Sequence, residues 1–236
     1  MRIYEKNEGV GGTWFENTYP GCACDVPSHN YTYSFEPKAD FSAVLAGSDE
    51  IKDYLEAFAN KHDLLQHIRT SHQVLKTSWD PLKGQWMVSS TDLRSGETVH
   101  DWCHLLVHAT GYLNKPMWPD VPGIETFRGP KIHSAKWDAN VSLEGKNVLL
   151  VGSGGSSAQI LPAIQPSVNS VKVFVRTPRW TFPSVSSKRG KFTPQEKQRL
   201  ISDPDAVLNL RLENERTLNS FHSEYQGPDH FIMEKE

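Results

Sequence analysis

Cysteine is scarce in this 236-residue sequence: Cys22, Cys24 and Cys103 are the only three. An odd count with one tight Cys-x-Cys pair does not make the disulfide framework of a small secreted domain, and a reduced, cytoplasmic protein is expected. Long apolar runs are missing too. None approaches the about 20 residues of a membrane span, so no transmembrane segment is expected, and no signal-peptide pattern is visible. Neither charge sign dominates, with 25 Lys and Arg against 28 Asp and Glu. A net charge of −3 gives no pull towards nucleic acid or an anionic membrane surface. Solenoid-type repeats and low-complexity runs are absent. What is present is ordinary globular composition, 37% hydrophobic and 22% charged, in a length suited to one large domain or two small ones.

The pattern along the chain predicts an α/β organisation. Arg2 to Glu5 reads as a strand end leading into a Gly-rich turn through Gly12. From Thr13 to Phe35, Pro20, Gly21 and Pro27 among many Tyr and Ser predict an ordered loop. Over Asp49–His62, Ile51, Tyr54, Leu55, Phe58 and Ala59 share one helical face, with Ser48 as N-cap. Runs at His72–Trp79, Gln85–Thr91 and Thr98–His108, separated by turn-like breaks, predict a small meander. A Pro- and Gly-rich stretch follows, and a domain boundary is placed near Glu125, dividing the chain into 1–125 and 126–236. Beyond it, "KNVLLVGSGGSSAQILPAI" and "VKVFVRTP" read as strand, glycine turn, helix and strand, a βαβ unit of a parallel sheet. Thr193 to Glu196 fits a capping box with Pro194 at the first helical position. The last 40 or so residues read as helical, with Leu200, Leu208, Leu210, Leu212 and Leu218 to bury.

Chemistry concentrates in three places. Gly152-x-Gly154 directly follows the strand "NVLLV". The first glycine permits a tight turn, the second lets a backbone approach a diphosphate, and the helix behind points free N–H groups at the phosphates. Ser157 stands at the third position, where a small residue serves helix–strand packing. By itself such a turn also suits an ordinary strand–turn–helix. The next strand ends at Arg176-Thr177 rather than at an acid, which suits a 2′-phosphate and favours NADP over NAD. At the start, Glu5 ends a strand before Gly9-x-Gly11-Gly12, a place where an acid can hold an adenosine ribose. Third is Phe127-x-Gly129-x-x-x-His133-x-x-x-Trp137, which taken cold is a loop with an aromatic at each end. His100, His104 and His108 recur every four residues, but in a strand such positions lie about 13 Å apart, too far to share a metal; no metal site is expected. Ser153, Ser156 and Ser157 form no Gly-x-Ser-x-Gly elbow, which argues against a hydrolase.

Together these segments resemble one family, the flavin-dependent monooxygenases of Baeyer–Villiger type. The family fingerprint, Phe-x-Gly-x-x-x-His-x-x-x-Trp followed by Pro or Asp, is complete in "FRGPKIHSAKWD". "GVGGTWFENTYPGCACDVPSHNYTYSF" resembles the flavin-side stretch, "HATGYLNKP" the Ala-Thr-Gly return strand and "VFVRTPRWTFP" the NADP-phosphate strand. The resemblance covers Arg2 to about Pro183. It implies two Rossmann-like dinucleotide-binding domains, for FAD in 1–125 and for NADP in 126–236, with a small β-meander. It also implies roles. Glu5 would bind the FAD ribose; Gly12, Thr13 and Trp14 would line the flavin. Asp25 would sit near the flavin–nicotinamide junction, with Ala23 and Cys24 beside NADP. Tyr31 would touch the flavin side, Val74 the FAD adenine, and Thr110 and Gly111 would close on FAD. Gly152, Ser153, Gly154, Gly155, Ser156, Ser157, Ala158 and Gln159 would cradle the NADP diphosphate, with Arg176 and Thr177 on the 2′-phosphate. His133 and Trp137 would couple the two domains as NADP shifts during turnover. The implied activity is NADPH-driven oxygen insertion beside a ketone, through a peroxyflavin formed from molecular oxygen.

The sequence also departs from the family pattern. The family reaches "RIYEK" only after a strand, a Gly-x-Gly-x-x-Gly turn and a helix, so the FAD part is expected to lack its first βα unit and to expose unpaired strand edges. It also continues past the point matching Glu236, so the NADP part is expected to be incomplete. Many relatives carry an arginine where this chain has Ala23. These departures leave room for a non-catalytic NADP-binding or partner-binding module, for a complementing chain, and for N- or S-oxygenation in place of ketone oxygenation.

Overall fold

The computed structural model describes residues 1–113, 115–178 and 190–225, with side chains through residue 220. Arg179 to Pro183 of the expected phosphate-strand motif, and the end of the expected C-terminal helix, lie outside the described residues. Contacts divide the chain into two interleaved units. One holds Met1–Cys22 with Lys52–Phe174, the other Ala23–Ile51 with Val175–Glu236. This grouping crosses the line at residue 125, because the glycine-turn helix packs on residues near Tyr19.

In the larger unit, β1 (Ile3–Tyr4) leads through a glycine turn to the single-turn helix α1 (Thr13–Glu16). Helix α2 (Ser48–Lys61), whose first turn through Ile51 is counted with the smaller unit, begins one residue earlier than its hydrophobic face suggests and buries Ile51, Tyr54 and Ala59 as that face requires. β2 (Ile68–Arg69) pairs parallel with β1. β3 (His72–Asp80), β4 (Gln85–Asp92) and β5 (Thr98–Cys103) form the expected antiparallel meander. The meander is tied to β1 by charge-assisted bonds, since Arg2 and Tyr4 both donate to the Asp101 carboxylate, Tyr4 at 2.6 Å. These donors hold the Asp101 carboxyl below its usual range, against the opposing effect of burial.

β6 (Asn147–Val151), α3 (Gly155–Ile164) and β7 (Ser170–Phe174) make the βαβ unit, its two strands parallel and in register from Asn147 with Ser170 to Val151 with Phe174. One sheet face, with Val148, Leu150 and Val171, packs with Ile160 and Ile164 of α3. The opposite face stays exposed, with Leu149 at 57% and Val151 at 62%.

The smaller unit contains a short 3-10 turn at Ser28–Tyr31, then α4 (Pro194–Ser202) and α5 (Pro204–Tyr225). The capping box is formed as expected: Thr193 accepts from Glu196 N–H at 3.2 Å, and Glu196 accepts in return from Thr193 N–H at 2.9 Å. The leucine face read from the sequence is only partly buried. Leu200 is buried and Leu210 packs beside it, but Leu208, Leu212 and Leu218 are exposed. Pro204 starts a new helix after Asp203, which resets the helical phase, and α5 buries Ala206, Val207 and Arg211 instead.

His29 is buried between Phe41 and Phe192, edge-on to both rings at 5.3 and 5.5 Å, with Nε2 3.4 Å from the Ala39 carbonyl. Burial lowers its pKa below the ordinary value. The folded state therefore binds fewer protons than the unfolded chain, and stability present at neutral pH is lost as pH falls below about 6.5. Denaturation midpoints between pH 7 and 5 should fall for the wild type, and the slope should flatten in His29→Phe.

Candidate functional site

The glycine turn is built for close approach. Gly152 has φ +114, a conformation that side chains rarely adopt, and its N–H bonds the Phe174 carbonyl at 2.8 Å, closing the mouth of the parallel pair. Ser157 Oγ donates to the Gly152 carbonyl at 2.8 Å, so a hydroxyl fastens helix to turn where many such motifs use a third glycine. Helix α3 has no side-chain N-cap bond, which leaves first-turn N–H groups for another acceptor. A Cβ added at Gly152, Gly154 or Gly155 would meet nothing within 4 Å. This open, uncapped helix start fits a diphosphate, in size and in sign.

The segment ahead of residue 23 docks on the same helix. Gly21 has φ +78, and a Cβ there would stand 2.6 Å from the Gln159 carbonyl oxygen. Tyr19 donates to Gln159 Oε1 at 2.8 Å and is buried with Ile160 and Ile164. Tyr19 and Gly21 were not among the residues singled out from sequence. The Pro20-Gly21 pair marked a turn there but not its close contact with α3.

The fingerprint has a structural logic residue by residue. The Phe127 ring folds over Gly129, where a Cβ would lie 2.7 Å from two ring carbons. His133 packs edge-on to Trp118, with centroids 5.8 Å apart. Its Nδ1 accepts the Ala135 N–H at 3.1 Å, which assigns the proton to Nε2. Trp137 joins the apolar cluster under α3. The two ends of the motif are thus a glycine-backed ring and an anchor on the glycine-turn helix. Trp118 carried no signal in the sequence, since its pairing spans a proline-rich loop.

A second corner of the larger unit gathers Glu5 and Val74. Glu5 follows the parallel strand β1, takes the Arg69 carbonyl with its N–H at 3.0 Å, and bonds the His72 N–H with its carbonyl at 2.9 Å. Its carboxylate accepts the Asn7 N–H at 2.8 Å. Val74 sits at a register shift between Val74 and Lys76, a bulge that re-aims side chains. Gly12 and Thr13 are exposed at the start of α1, and Trp14 is half-buried.

Thr110 and Gly111 are exposed, and the strand expected through them is not formed. β5 ends at Cys103, and no strand covers 104–113. Leu105 and Val107 are 80% and 74% exposed, so the β-like run read through His108 finds no sheet to pair with beyond Cys103.

In the smaller unit Asp25, Tyr31, Ala23 and Cys24 come together. Tyr31 donates to Asp25 Oδ1 at 2.7 Å, and burial together with that carboxylate pushes the phenol well above its usual range. Ala23 bridges Gly47, and the Cys24 N–H bonds the Ala46 carbonyl at 3.0 Å. Ser28, fully buried, organises this strip. Its Oγ lies 3.0 and 2.8 Å from the Ala43 and Val44 carbonyls and accepts the Ala46 N–H at 2.7 Å. The Cys24 thiol is buried, and its pKa is raised by that burial, which disfavours the thiolate that redox exchange requires. Arg176 and Thr177 follow β7 by two residues and are exposed. Among the described residues no three His, Cys, Asp or Glu side chains converge as a metal ligand set, and no helix is long and apolar enough to cross a membrane.

A doubly anchored glycine-turn helix, an acid after a parallel strand and an intact fingerprint together define an α/β protein built on a strand–glycine turn–helix unit. The chain belongs to the flavin-binding monooxygenase-like family, which it matches over residues 5–195. It is 41% identical to a Baeyer–Villiger monooxygenase of Streptomyces coelicolor over 183 residues, covering 78% of this chain and 34% of that protein. It is 34% identical to the FAD-binding monooxygenase tazF of Aspergillus terreus, covering 93% of this chain and 40% of that protein. Among solved structures, cyclohexanone monooxygenase from Rhodococcus sp. Phi1 bound to NADP+ matches with a TM-score of 0.74 and 32% identity, covering 87% of this chain and 38% of that one. The fold is thus the Rossmann-like α/β arrangement of these enzymes with a small meander, and the chain spans about 40% or less of its relatives' length.

The two glycines separate packing from ligand binding. Gly21→Ala should cost about 1–3 kcal/mol by overpacking against the Gln159 carbonyl. Gly154→Ala, at φ −70 with open space before it, should leave stability within about 0.5 kcal/mol. Urea unfolding of the two variants beside the wild type measures both.

Proposed function

We propose that this chain carries the cofactor-handling residues of an FAD- and NADPH-dependent monooxygenase of Baeyer–Villiger type. The start of α3 is the observation that carries the reading, because its glycines stand in open space and no side chain caps the helix, which suits a diphosphate. The boundary near Glu125 separates an FAD part, 1–125, from an NADP part, 126–236. The relatives' names supply the cofactor and substrate classes: FAD for the A. terreus protein, NADP and cyclohexanone for the Rhodococcus enzyme.

Each residue then has a task. The α3 backbone from Gly152 to Gln159 binds the NADP diphosphate, and Arg176 with Thr177 takes the 2′-phosphate. Glu5 accepts hydroxyl donors of the FAD ribose, and Val74 borders its adenine. Gly12, Thr13, Trp14, Thr110 and Gly111 line the flavin, where Trp14 helps exclude water. Asp25 holds the Tyr31 phenol beside the flavin–nicotinamide junction, with Ala23 and Cys24 on the NADP side. His133 keeps its proton on Nε2 and moves with Trp137 as the domains shift. When bound, FAD reduced by NADPH supplies the oxygen-activating chemistry, with molecular oxygen and a small organic ketone as co-substrates. N- or S-oxygenation would use the same cofactor residues. The three cysteines are free, which suits a reducing, cytoplasmic setting.

A second reading rests on the uncovered apolar surfaces. Leu149, Val151 and Phe174 line one sheet face, and Leu105, Val107 and Tyr112 lie along an unpaired segment. Surface of this kind favours a complementing chain, or a non-catalytic NADP- or partner-binding module.

Incubation with FAD, gel filtration and a visible spectrum test the first reading. Retained flavin supports it, and a colourless folded protein favours the second. Arg176→Ala should weaken NADP binding about ten- to a hundredfold and leave NAD binding unchanged, as read by titration calorimetry.

A further inference from the structure

A buried cation in the smaller unit is left unused by the reading above. Arg211 on α5 is only 9% exposed, and among the described residues no carboxylate is one of its hydrogen-bond partners. Its Nη1 donates instead to the Thr32 carbonyl at 3.0 Å, the Thr32 hydroxyl at 2.6 Å and the Tyr33 carbonyl at 3.3 Å. One turn on, Asn214 Nδ2 donates to Asn30 Oδ1 at 3.1 Å. These i and i+3 positions share one helical face, and both clamp the segment that flanks Tyr31. The Thr32 hydroxyl in turn donates to the His29 carbonyl at 2.9 Å, closing the 3-10 turn. The turn therefore has a polar brace on each side of Tyr31, whose hydroxyl holds Asp25.

Burying a guanidinium against neutral acceptors is costly, and an apolar residue of similar volume would pack a helix more cheaply. What the cation provides is direction. One guanidinium nitrogen set among two consecutive backbone carbonyls and the hydroxyl between them fixes the position of that backbone. We infer that Arg211 and Asn214 are positioning residues, which hold the Tyr31–Asp25 pair in the geometry needed beside the flavin–nicotinamide junction. The inference rests on the proposed role of Asp25 and Tyr31, and names the residues of the last described helix that serve it.

The test needs no cofactor, so its failure is distinct from a failure to bind FAD or NADP. Tyrosine-labelled NMR spectra of the full chain are compared, with the Tyr31 ring resonance identified by its loss in Tyr31→Phe. Asp25→Asn marks the position of that resonance when the charged acceptor is gone. In Arg211→Met and Asn214→Ala the resonance should move towards the Asp25→Asn position, and in Arg211→Lys it should return most of the way. If Arg211→Met does not fold, Asn214→Ala and Thr32→Val decide. A wild-type Tyr31 resonance in both, with the protein folded, overturns the inference, even where the thermal midpoint has dropped. A shift in either supports it.

Discussion

The backbone of Gly21 presses so closely on helix α3 that only a missing side chain keeps it clear of the Gln159 carbonyl. Much of the larger unit depends on that contact. It brings Tyr19 onto Gln159 and into the Ile160–Ile164 cluster, and the same cluster receives Trp137 from the fingerprint and Val148, Leu150 and Val171 from the parallel strands. Helix α3, with its uncapped N-terminus, is therefore held from three directions by separate parts of the chain. Its orientation, and so the aim of its free N–H groups, is set by packing well away from the glycine turn.

Polar groups do the comparable work in the smaller unit. Ser28 replaces the missing strand ladder of a loop: its N–H donates to the Val44 carbonyl at 2.7 Å, its one hydroxyl proton is shared between the Ala43 and Val44 carbonyls, and its Oγ accepts the Ala46 N–H. Arg211 and Asn214 hold the next residues from the side of α5. A segment with little apolar content can be ordered this way only if its buried donors and acceptors are matched, and around Asp25 and Tyr31 they are. The contrast with the bare face of Leu149 and Val151 is instructive. In that segment the buried polar groups are matched within the smaller unit, whereas the apolar face of the parallel pair lies exposed.

Short-range pattern made much of the architecture legible. The first two strands of the meander and the start of its third, the hydrophobic face of α2, the Thr193–Glu196 capping box and the strand–turn–helix around Gly152 formed as read, because each rests on neighbours within one or two turns. The family resemblance extended this to candidate residues such as Glu5 and His133. Two readings failed for one reason. Residues 104–113 were read as strand, from the β-like run to His108 and the resemblance at Ala109–Gly111, but form none, and the leucines of the last helix pointed to a face that α5 does not bury. In both cases a local pattern needed a distant partner, and the partner was a matter of tertiary context.

The chain's own chemistry thus set which elements form, where helices start, and which residue types stand at the glycine turn, the acid of β1 and the fingerprint. Three-dimensional packing decided what those residues touch. Nothing in the order of residues shows that Tyr19 meets Gln159 across 140 positions, or that Arg211 meets Thr32 across 179. Such contacts join segments whose separation carries no period, and they become visible only when burial and hydrogen-bond matching are satisfied for the whole unit at once.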